Sequence, residues 1–198
     1  ASQADDPERV RDCLEKINYS SHHLLELINE ILDMAKIEKG KIELAEAPFS
    51  MNELFPEISS IVRSEAAAKD QQLQFEMTDI AHDKLLGDAG RLRQVLINLI
   101  SNAVKYTPNG GEIRVSAQEV SARTPGTGCF VFTVEDNGIG MTQDFLGNIF
   151  VPFSRADDPL VKEIQGTGLG MAIAQGIVNA MQGNIQVQSE KGKGSRFT

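Results

Sequence analysis

Cysteines, positive charges and long apolar runs are scarce in this chain of 198 residues. Cys13 and Cys129 lie far apart and lack the spacing of metal ligands, which favours a reducing intracellular compartment over a disulfide scaffold. The formal net charge of −9 disfavours nonspecific attraction to nucleic acid or to anionic membranes. No apolar run approaches the roughly 18–20 residues of a membrane span, and no signal peptide opens the sequence.

What is present is the composition of a globular protein, with 41% hydrophobic and 24% charged residues. The length suffices for one ordinary domain plus an appendage. The chain begins close to a helix and stops at "GSRFT", where a strand begins. We therefore expect a fragment of a longer protein.

The appendage is predicted to be one long helix over residues 7–38, with Pro7 at its start and Gly40 after its end. Its apolar residues follow a seven-residue repeat. They are Val10, Ile17, Leu24 and Ile31, with Cys13, Leu27 and Met34 supplying most of the intermediate seam. Because one helix cannot bury such a stripe alone, we expect a helical partner.

Shorter elements of mixed periodicity follow the long helix. They are a strand within 39–50 (Ile42 and Leu44 facing one way), a helix over about 51–69, a strand over 72–77, a helix over 91–107, strands over 112–120 and 129–136, a short helix, a helix over 168–182, a strand over 183–189 and a final hairpin arm. Ser50 and Glu53 have the spacing of a capping box, and Asp88 can cap the helix over 91–107.

The helix over 51–69 shows a clear apolar side. Its predicted core residues are Leu54, Phe55, Ile58, Ile61, Val62 and Ala66. Since helices and strands are mixed without regular βαβ alternation, the pattern favours an α+β fold, a two-layer sandwich with one sheet covered on one face by helices.

Four stretches contain residue types suited to nucleotide binding. They are "NLISNAVKY" (98–106), "DNGIG" (136–140), "FVPF" (150–153) and "GTGLG" (166–170). Each is weak alone: the asparagines could bond neighbouring backbone, DNG is a common tight turn, and GTGLG could be a flexible start of a helix. No strand leads into GTGLG as in a Rossmann fingerprint, and no Lys-Ser/Thr pair follows it as in a Walker motif. Their order over about 70 residues favours a shared function.

This order resembles the N, G1, F and G2 boxes of sensor histidine kinases, within the wider group of type II topoisomerase and mismatch-repair ATPases. The resemblance covers nearly the whole chain. It implies a Bergerat-type ATP-binding sandwich over residues 41–198. Residues 1–40 resemble the second helix of the family's dimerisation and phosphoacceptor domain.

The resemblance implies a site for ATP and Mg²⁺. Asn102 offers an amide oxygen to the metal, and Asn98 faces the same pocket one turn earlier. Lys105 and Tyr106 can reach the phosphates and the sugar from the same helix face. Asn98 and Lys105 are the expected catalytic residues.

The glycine motifs are expected to hold the base and the phosphates. In the family that the chain resembles, the aspartate at the position of Asp136 accepts a hydrogen bond from the exocyclic amine of adenine. The resemblance also implies that Gly138 and Gly140 let the backbone approach the base. The "GTGLG" stretch opens a helix whose free amides can bind phosphate. Its expected nucleotide-binding residues are Gly166, Thr167, Gly168, Leu169 and Gly170.

Residues 154–165 are expected to form a mobile lid over the nucleotide. Its cations, Arg155 and Lys162, can pair with the γ-phosphate, although two solvated surface charges are an equal alternative. Phe150 and Phe153 are predicted to pack the base of the lid onto the core.

The histidines do not match the family's phosphoacceptor, which sits on a preceding helix beside an acidic residue. His22 and His23 are interpreted as polar positions of a bundle helix, and His82 also lacks the acceptor context. The fragment should therefore not phosphorylate itself.

Three functions remain open on the sequence. The first is a kinase that transfers phosphate from ATP to a histidine elsewhere, for relay to a response-regulator aspartate. Its parent protein is expected to be a cytoplasmic homodimer, either anchored in the inner membrane or free. The second is an ATP-hydrolysing machine, which Asn98 disfavours because hydrolytic relatives have a glutamate base there. The third is a dimerisation module with a degenerate pocket.

Overall fold

A computed structural model describes residues 7–121, 126–157, 161, 164 and 166–198 of the protein. It divides into two compact units, with the boundary between Lys41 and Ile42. No helix of the described part is long and apolar enough to cross a membrane.

The first unit contains helix α1, Pro7–Glu38, which agrees with the predicted bounds. The repeating apolar side chains leave much of their surface uncovered, with Ile17 61% and Leu24 58% exposed. An amphipathic helix is normally stabilised by burying its apolar stripe against another element, so α1 is expected to pack against a partner.

The second unit begins with a small two-stranded sheet. Strands β1 (Ala47–Ser50) and β3 (Lys84–Gly87) pair antiparallel. The strand predicted within 39–50 thus occupies only its last four residues, and Ile42 and Leu44 precede it. β3 was not predicted, because a four-residue strand carries little periodic signal.

Helix α2, Met51–Ala67, starts at the predicted cap, where the Ser50 hydroxyl accepts a hydrogen bond from the backbone N–H of Glu53 at 3.2 Å. Asp83 also fixes this end, since its carboxylate accepts from the Ser50 hydroxyl at 2.7 Å. The buried side follows the prediction except at Ile61, which is 46% exposed. Met51 is fully buried instead, because the residue after the cap turns inward.

A five-stranded sheet forms the second layer, in the order β2-β4-β5-β7-β6. Its strands are β2 (Gln72–Thr78), β4 (Glu112–Val120), β5 (Cys129–Asp136), β6 (Val187–Glu190) and β7 (Gly194–Phe197). β2 and β4 are parallel and the other neighbours antiparallel. The strand predicted over 183–189 is confirmed only from Val187.

The described part of the unit also contains helices α3 (Ala89–Tyr106), α4 (Gln143–Leu146) and α5 (Gly170–Ala180). Asp88 caps α3, its carboxylate accepting from the backbone N–H of Arg91 at 2.9 Å. The core lies between the helices and one sheet face, where Ile100, Val115 and Ile173 are fully buried. The predicted α+β sandwich is confirmed.

Candidate functional site

Helix α3 carries the two asparagines of the opening motif, and one of them reaches across to α5. The Asn98 side-chain amide donates to the backbone carbonyl of Gly170 at 3.0 Å. The side chain of Asn102, one turn later and half-buried, makes no hydrogen bond to the described residues. Asn98 thus links α3 to the glycine motif, and the Asn102 amide keeps its full capacity to bind a ligand.

Helix α3 also ends against the "DNGIG" loop. The carbonyl of Tyr106 accepts from the backbone N–H of Ile139 at 3.1 Å. A Cβ atom on Gly138 would lie 2.5 Å from that carbonyl oxygen, which leaves no room for a side chain. Glycine is therefore required at 138 by the approach of α3 to the loop.

Asp136 ends strand β5 and is 8% exposed. One carboxylate oxygen accepts from the backbone N–H of Gly138 at 2.9 Å, and the nearby backbone N–H of Ser195 also favours the charged carboxylate. Burial raises the pKa of Asp136 to about 6, despite these two N–H groups. A buried carboxyl with a perturbed pKa beside a glycine loop is a strong candidate for ligand recognition.

The "FVPF" stretch contacts the glycine motif through its backbone. The backbone N–H of Phe153 donates to the carbonyl of Gly168 at 3.0 Å, and Gly168 has a left-handed φ of +74°. Phe150 is half-buried as predicted, but Phe153 is 67% exposed. The prediction that Phe153 packs on the core is therefore wrong; its backbone, at φ +62°, makes the contact instead.

The "GTGLG" stretch leads into α5, and few acceptors of the described residues contact its backbone N–H groups. The hydroxyl of Thr167 accepts from the N–H of Leu169 at 3.1 Å, and Leu169, at the N-cap position, makes no side-chain capping bond. No atom lies within 4 Å of a Cβ built on Gly166. The helix N-terminus thus retains donors that suit an anion. α5 begins at Gly170, two residues later than predicted.

The predicted cations differ in their surroundings. Lys105 is exposed at the end of α3. The Arg155 guanidinium donates to the carbonyls of Val161 and Ile164, at 2.6 and 2.5 Å. Burial raises the pKa of Tyr106, and the nearby positive charge of Arg155 opposes that rise. Lys162 lies outside the described residues.

A cavity of about 390 Å³ adjoins these groups. Its lining includes Gly140 of the glycine loop, Phe145 of α4, Arg155 of the lid segment and Lys191 of the turn between β6 and β7. Of the four motifs, only the glycine loop lines this cavity. The motifs are joined to one another by the contacts Asn98–Gly170, Ile139–Tyr106 and Phe153–Gly168.

The histidines lie elsewhere. His82, with a 74% exposed side chain, contacts the Glu119 carboxylate at 2.5 Å. The side chains of His22 and His23 lie outside what the structure describes. Sequence reasoning missed Lys69, whose ammonium group contacts the end of α3, and Ser195, whose backbone N–H acts on Asp136. The "KGKG" turn before Ser195 was the available signal.

A family model, the histidine kinase-, DNA gyrase B- and HSP90-like ATPase, matches residues 87–198. The chain belongs to this family. Over 187 residues it is 37% identical to the sensory/regulatory protein RpfC of Xanthomonas campestris, a match that covers 94% of this chain and 26% of RpfC. It is 36% identical to the circadian input-output histidine kinase CikA of Synechococcus elongatus, over 96% of this chain and 25% of CikA.

The solved structures agree with this histidine kinase assignment. Full-length ShkA in complex with AMPPNP superposes with a TM-score of 0.77 at 32% identity, covering 94% of this chain and 37% of ShkA. The predicted catalytic ATP-binding domain of a sensor histidine kinase is confirmed. The chain spans about a quarter of the length of these curated relatives.

Proposed function

We propose that this histidine kinase domain binds Mg-ATP and delivers the γ-phosphoryl group to a histidine on another helix. The phosphohistidine then passes its phosphoryl group to an aspartate of a response-regulator receiver domain. Support comes from the relatives' names and, above all, from the buried carboxyl of Asp136 beside four motifs that contact one another in a continuous series. In the parent protein, helix α1 belongs to a dimerisation and phosphoacceptor hairpin.

The roles follow from the chemistry of each group. Asp136 accepts the adenine amine, and the Gly138 and Gly140 backbone approaches the base. The N-terminal amides of α5 hold phosphate oxygens at Gly168, Leu169 and Gly170.

The remaining contacts reach the sugar and the outer phosphates. Tyr106 and Lys105 extend from the end of α3 towards the sugar and phosphates. Arg155 exchanges its carbonyl partners for the γ-phosphate. Gly166 and Thr167 complete the loop around the phosphates.

The donor set fits Mg²⁺, although it supplies few protein ligands. Asn102 has an amide oxygen that no described residue engages, and Mg²⁺ is usually bound through one or two protein oxygens plus phosphates and water. The described residues contain no cluster of three acidic, histidine or cysteine side chains that could hold a metal alone. When bound, the ion neutralises charge on the phosphates.

Asn98 explains why the domain transfers phosphate rather than hydrolysing ATP. An amide cannot take a proton from water near neutral pH, and the Asn98 amide already donates to Gly170. As in the histidine kinase relatives, the proposed attacking group is an imidazole nitrogen of the acceptor histidine. Its bond to the γ-phosphorus forms as the bond to the bridging oxygen breaks, and ADP leaves with the electron pair.

Asp136→Asn tests the proposal. We expect wild-type protein to bind ATP by isothermal titration with Mg²⁺ present, and the variant to lose measurable binding, because the buried acceptor becomes partly a donor. Ser60→Ala, at an exposed position, is the control for this binding experiment. Unchanged ATP binding in Asp136→Asn would overturn the assignment of the base pocket.

Phosphoryl transfer is tested separately. Labelled ATP plus a polypeptide carrying the acceptor helix should yield acid-labile phosphohistidine.

A further inference from the structure

The hairpin formed by β6 and β7 lies directly against the glycine loop that follows Asp136. The backbone N–H of Gly192 donates to the carbonyl of Ile139 at 2.7 Å. A Cβ atom on Gly140 would overlap the carbonyl of Glu190, and one on Gly194 would overlap the carbonyl of Asp136. Loop and hairpin therefore meet backbone to backbone, with glycines where they are closest.

One side chain joins the two segments. The Ser189 hydroxyl oxygen, on β6, accepts from the backbone N–H of Met141 at 2.9 Å. The same hydroxyl donates to the carbonyl of Gly194 at 2.8 Å, and its oxygen lies 2.9 Å from the hydroxyl oxygen of Ser195. Since its single proton goes to Gly194, the Ser195 hydroxyl must be the donor in the last contact.

Ser195 connects the hydrogen bonds of Ser189 with Asp136. Ser195 and Asp136 are register partners of β7 and β5, and the backbone N–H of Ser195 lies near enough to the Asp136 carboxylate to favour its charged form. The backbone N–H of Gly138, which donates to that carboxylate, belongs to the loop whose far end Ser189 fixes at Met141. The two N–H groups that act on the carboxylate are thus held by segments that Ser189 ties together.

We propose that Ser189 is a positioning residue for adenine recognition. It orients the carboxylate of Asp136 through Ser195 on one side and through the loop from Gly138 to Met141 on the other. This inference rests on the proposed function, because it assumes that adenine binds at Asp136. Preorganised donors and acceptors contribute affinity because their ordering cost is met before the ligand arrives.

Ser189→Ala tests the role, because it removes the hydroxyl and leaves the strand intact. We expect the variant to bind ATP about tenfold more weakly, roughly the loss of one well-formed hydrogen bond. Binding of purine riboside triphosphate, which lacks the exocyclic amine, should change much less. The preference for ATP over this analogue therefore falls, an effect that a uniform loss of folded protein would not produce.

Ser189→Thr keeps the hydroxyl on a side chain that strands favour, and should restore ATP affinity to within about twofold. Ser60→Ala is the matched control, since the Ser60 hydroxyl only donates to the Glu57 carbonyl on α2. Hydrogen exchange of the Met141 amide supplies an independent signature. It should be slow in wild-type and Ser189→Thr protein and fast in Ser189→Ala.

The outcomes separate the two proposals. Wild-type protein that binds no ATP would refute the proposed function itself. Wild-type protein that prefers ATP over the analogue, with the same preference in folded Ser189→Ala, would overturn the positioning role alone. If Ser189→Ala does not fold, fast exchange of Met141 in the wild type would overturn it equally.

Discussion

At the scale of single residues, Asp136 combines a stability cost with a proposed binding role. Its folded pKa of about 6 lies above the ordinary value of 3.8, since burial disfavours the charged form. The folded state therefore binds more protons than the unfolded state between these values. The free energy of unfolding falls as pH rises through this window, and above about pH 6 the full cost is present.

Asp136→Asn removes this titration. We expect the ligand-free variant to exceed wild-type stability at pH 8 by about 1–3 kcal/mol, with a smaller advantage at pH 5, where wild-type Asp136 is mostly protonated. Urea unfolding at the two pH values measures the difference. An advantage that did not change with pH would show that desolvation of the charge is not its cause.

Gly140 illustrates a residue whose identity is set by geometry. Its φ is +59° and any Cβ atom would overlap the Glu190 carbonyl, so Gly140→Ala should lower the free energy of unfolding by about 2–4 kcal/mol. Gly147→Ala is the control, because φ there is −64° and the nearest atom is 3.9 Å away. That control should be neutral or slightly stabilising. Equal urea midpoints for both variants would contradict the argument.

Residue-level prediction worked where chemistry is local. The caps at Ser50 and Asp88 follow from short-range spacing and are confirmed. The bond from Asn98 to Gly170 joins residues far apart in sequence, and the carbonyl partners of Arg155 depend on how the lid segment folds. Neither arrangement of hydrogen bonds produces a periodic pattern in the sequence. The sequence therefore indicated which residues belong to the site but not the groups that they contact.

At the scale of elements, the C-terminus of α3 is capped from outside the helix. The Lys69 ammonium group donates to the carbonyls of Val104, Lys105 and Thr107, at 2.7, 3.0 and 2.9 Å. The Gln71 side chain donates to the carbonyls of Val104 and Thr107 as well. The cap holds the helix end that presents Lys105 and Tyr106, and positive charge there also complements the helix dipole.

Lys69→Met should remove this cap while keeping a long apolar stem. We expect a loss of about 1–3 kcal/mol in the free energy of unfolding, because three carbonyls lose a charged donor. Urea denaturation measures it, with Lys41→Met, at an exposed position, as control. Amide exchange should rise in the last turn of α3. An unchanged midpoint would mean that Gln71 alone suffices.

Element prediction depended on length. The long helix α1 and the strands β4 and β5 have the predicted bounds, since many residues share one period. The strands β1 and β6 begin later than predicted, and β3 was missed, because four residues cannot establish an alternation. Ile61 has the helical spacing of a core residue, yet the described residues leave 46% of its surface exposed.

At the scale of the whole molecule, the distribution of exposed apolar residues differs between the two units. The second unit exposes a few separate large apolar side chains, such as Ile61 and Leu86. Helix α1 instead exposes a continuous series. It consists of Val10, Leu14, Ile17, Leu24, Leu25, Ile28, Ile31 and Leu32, each between 40% and 61% exposed. A stripe of this length is typical of a helix–helix interface.

Self-association through α1 is therefore the expected behaviour of the chain in solution. A double change, Ile17→Asp and Leu24→Asp, places two charges in the stripe and should convert an associated species to a monomer in sedimentation velocity at micromolar concentration. Ile61→Asp is the control, because Ile61 is a similarly exposed apolar residue of the second unit; this variant should associate like the wild type.

ATP affinity should stay within about twofold in both variants, because the four motifs lie within residues 98–170 of the second unit. If the double variant associates like the wild type, the seven-residue repeat is not the contact surface, and the dimer assignment of α1 fails while the nucleotide site is unaffected.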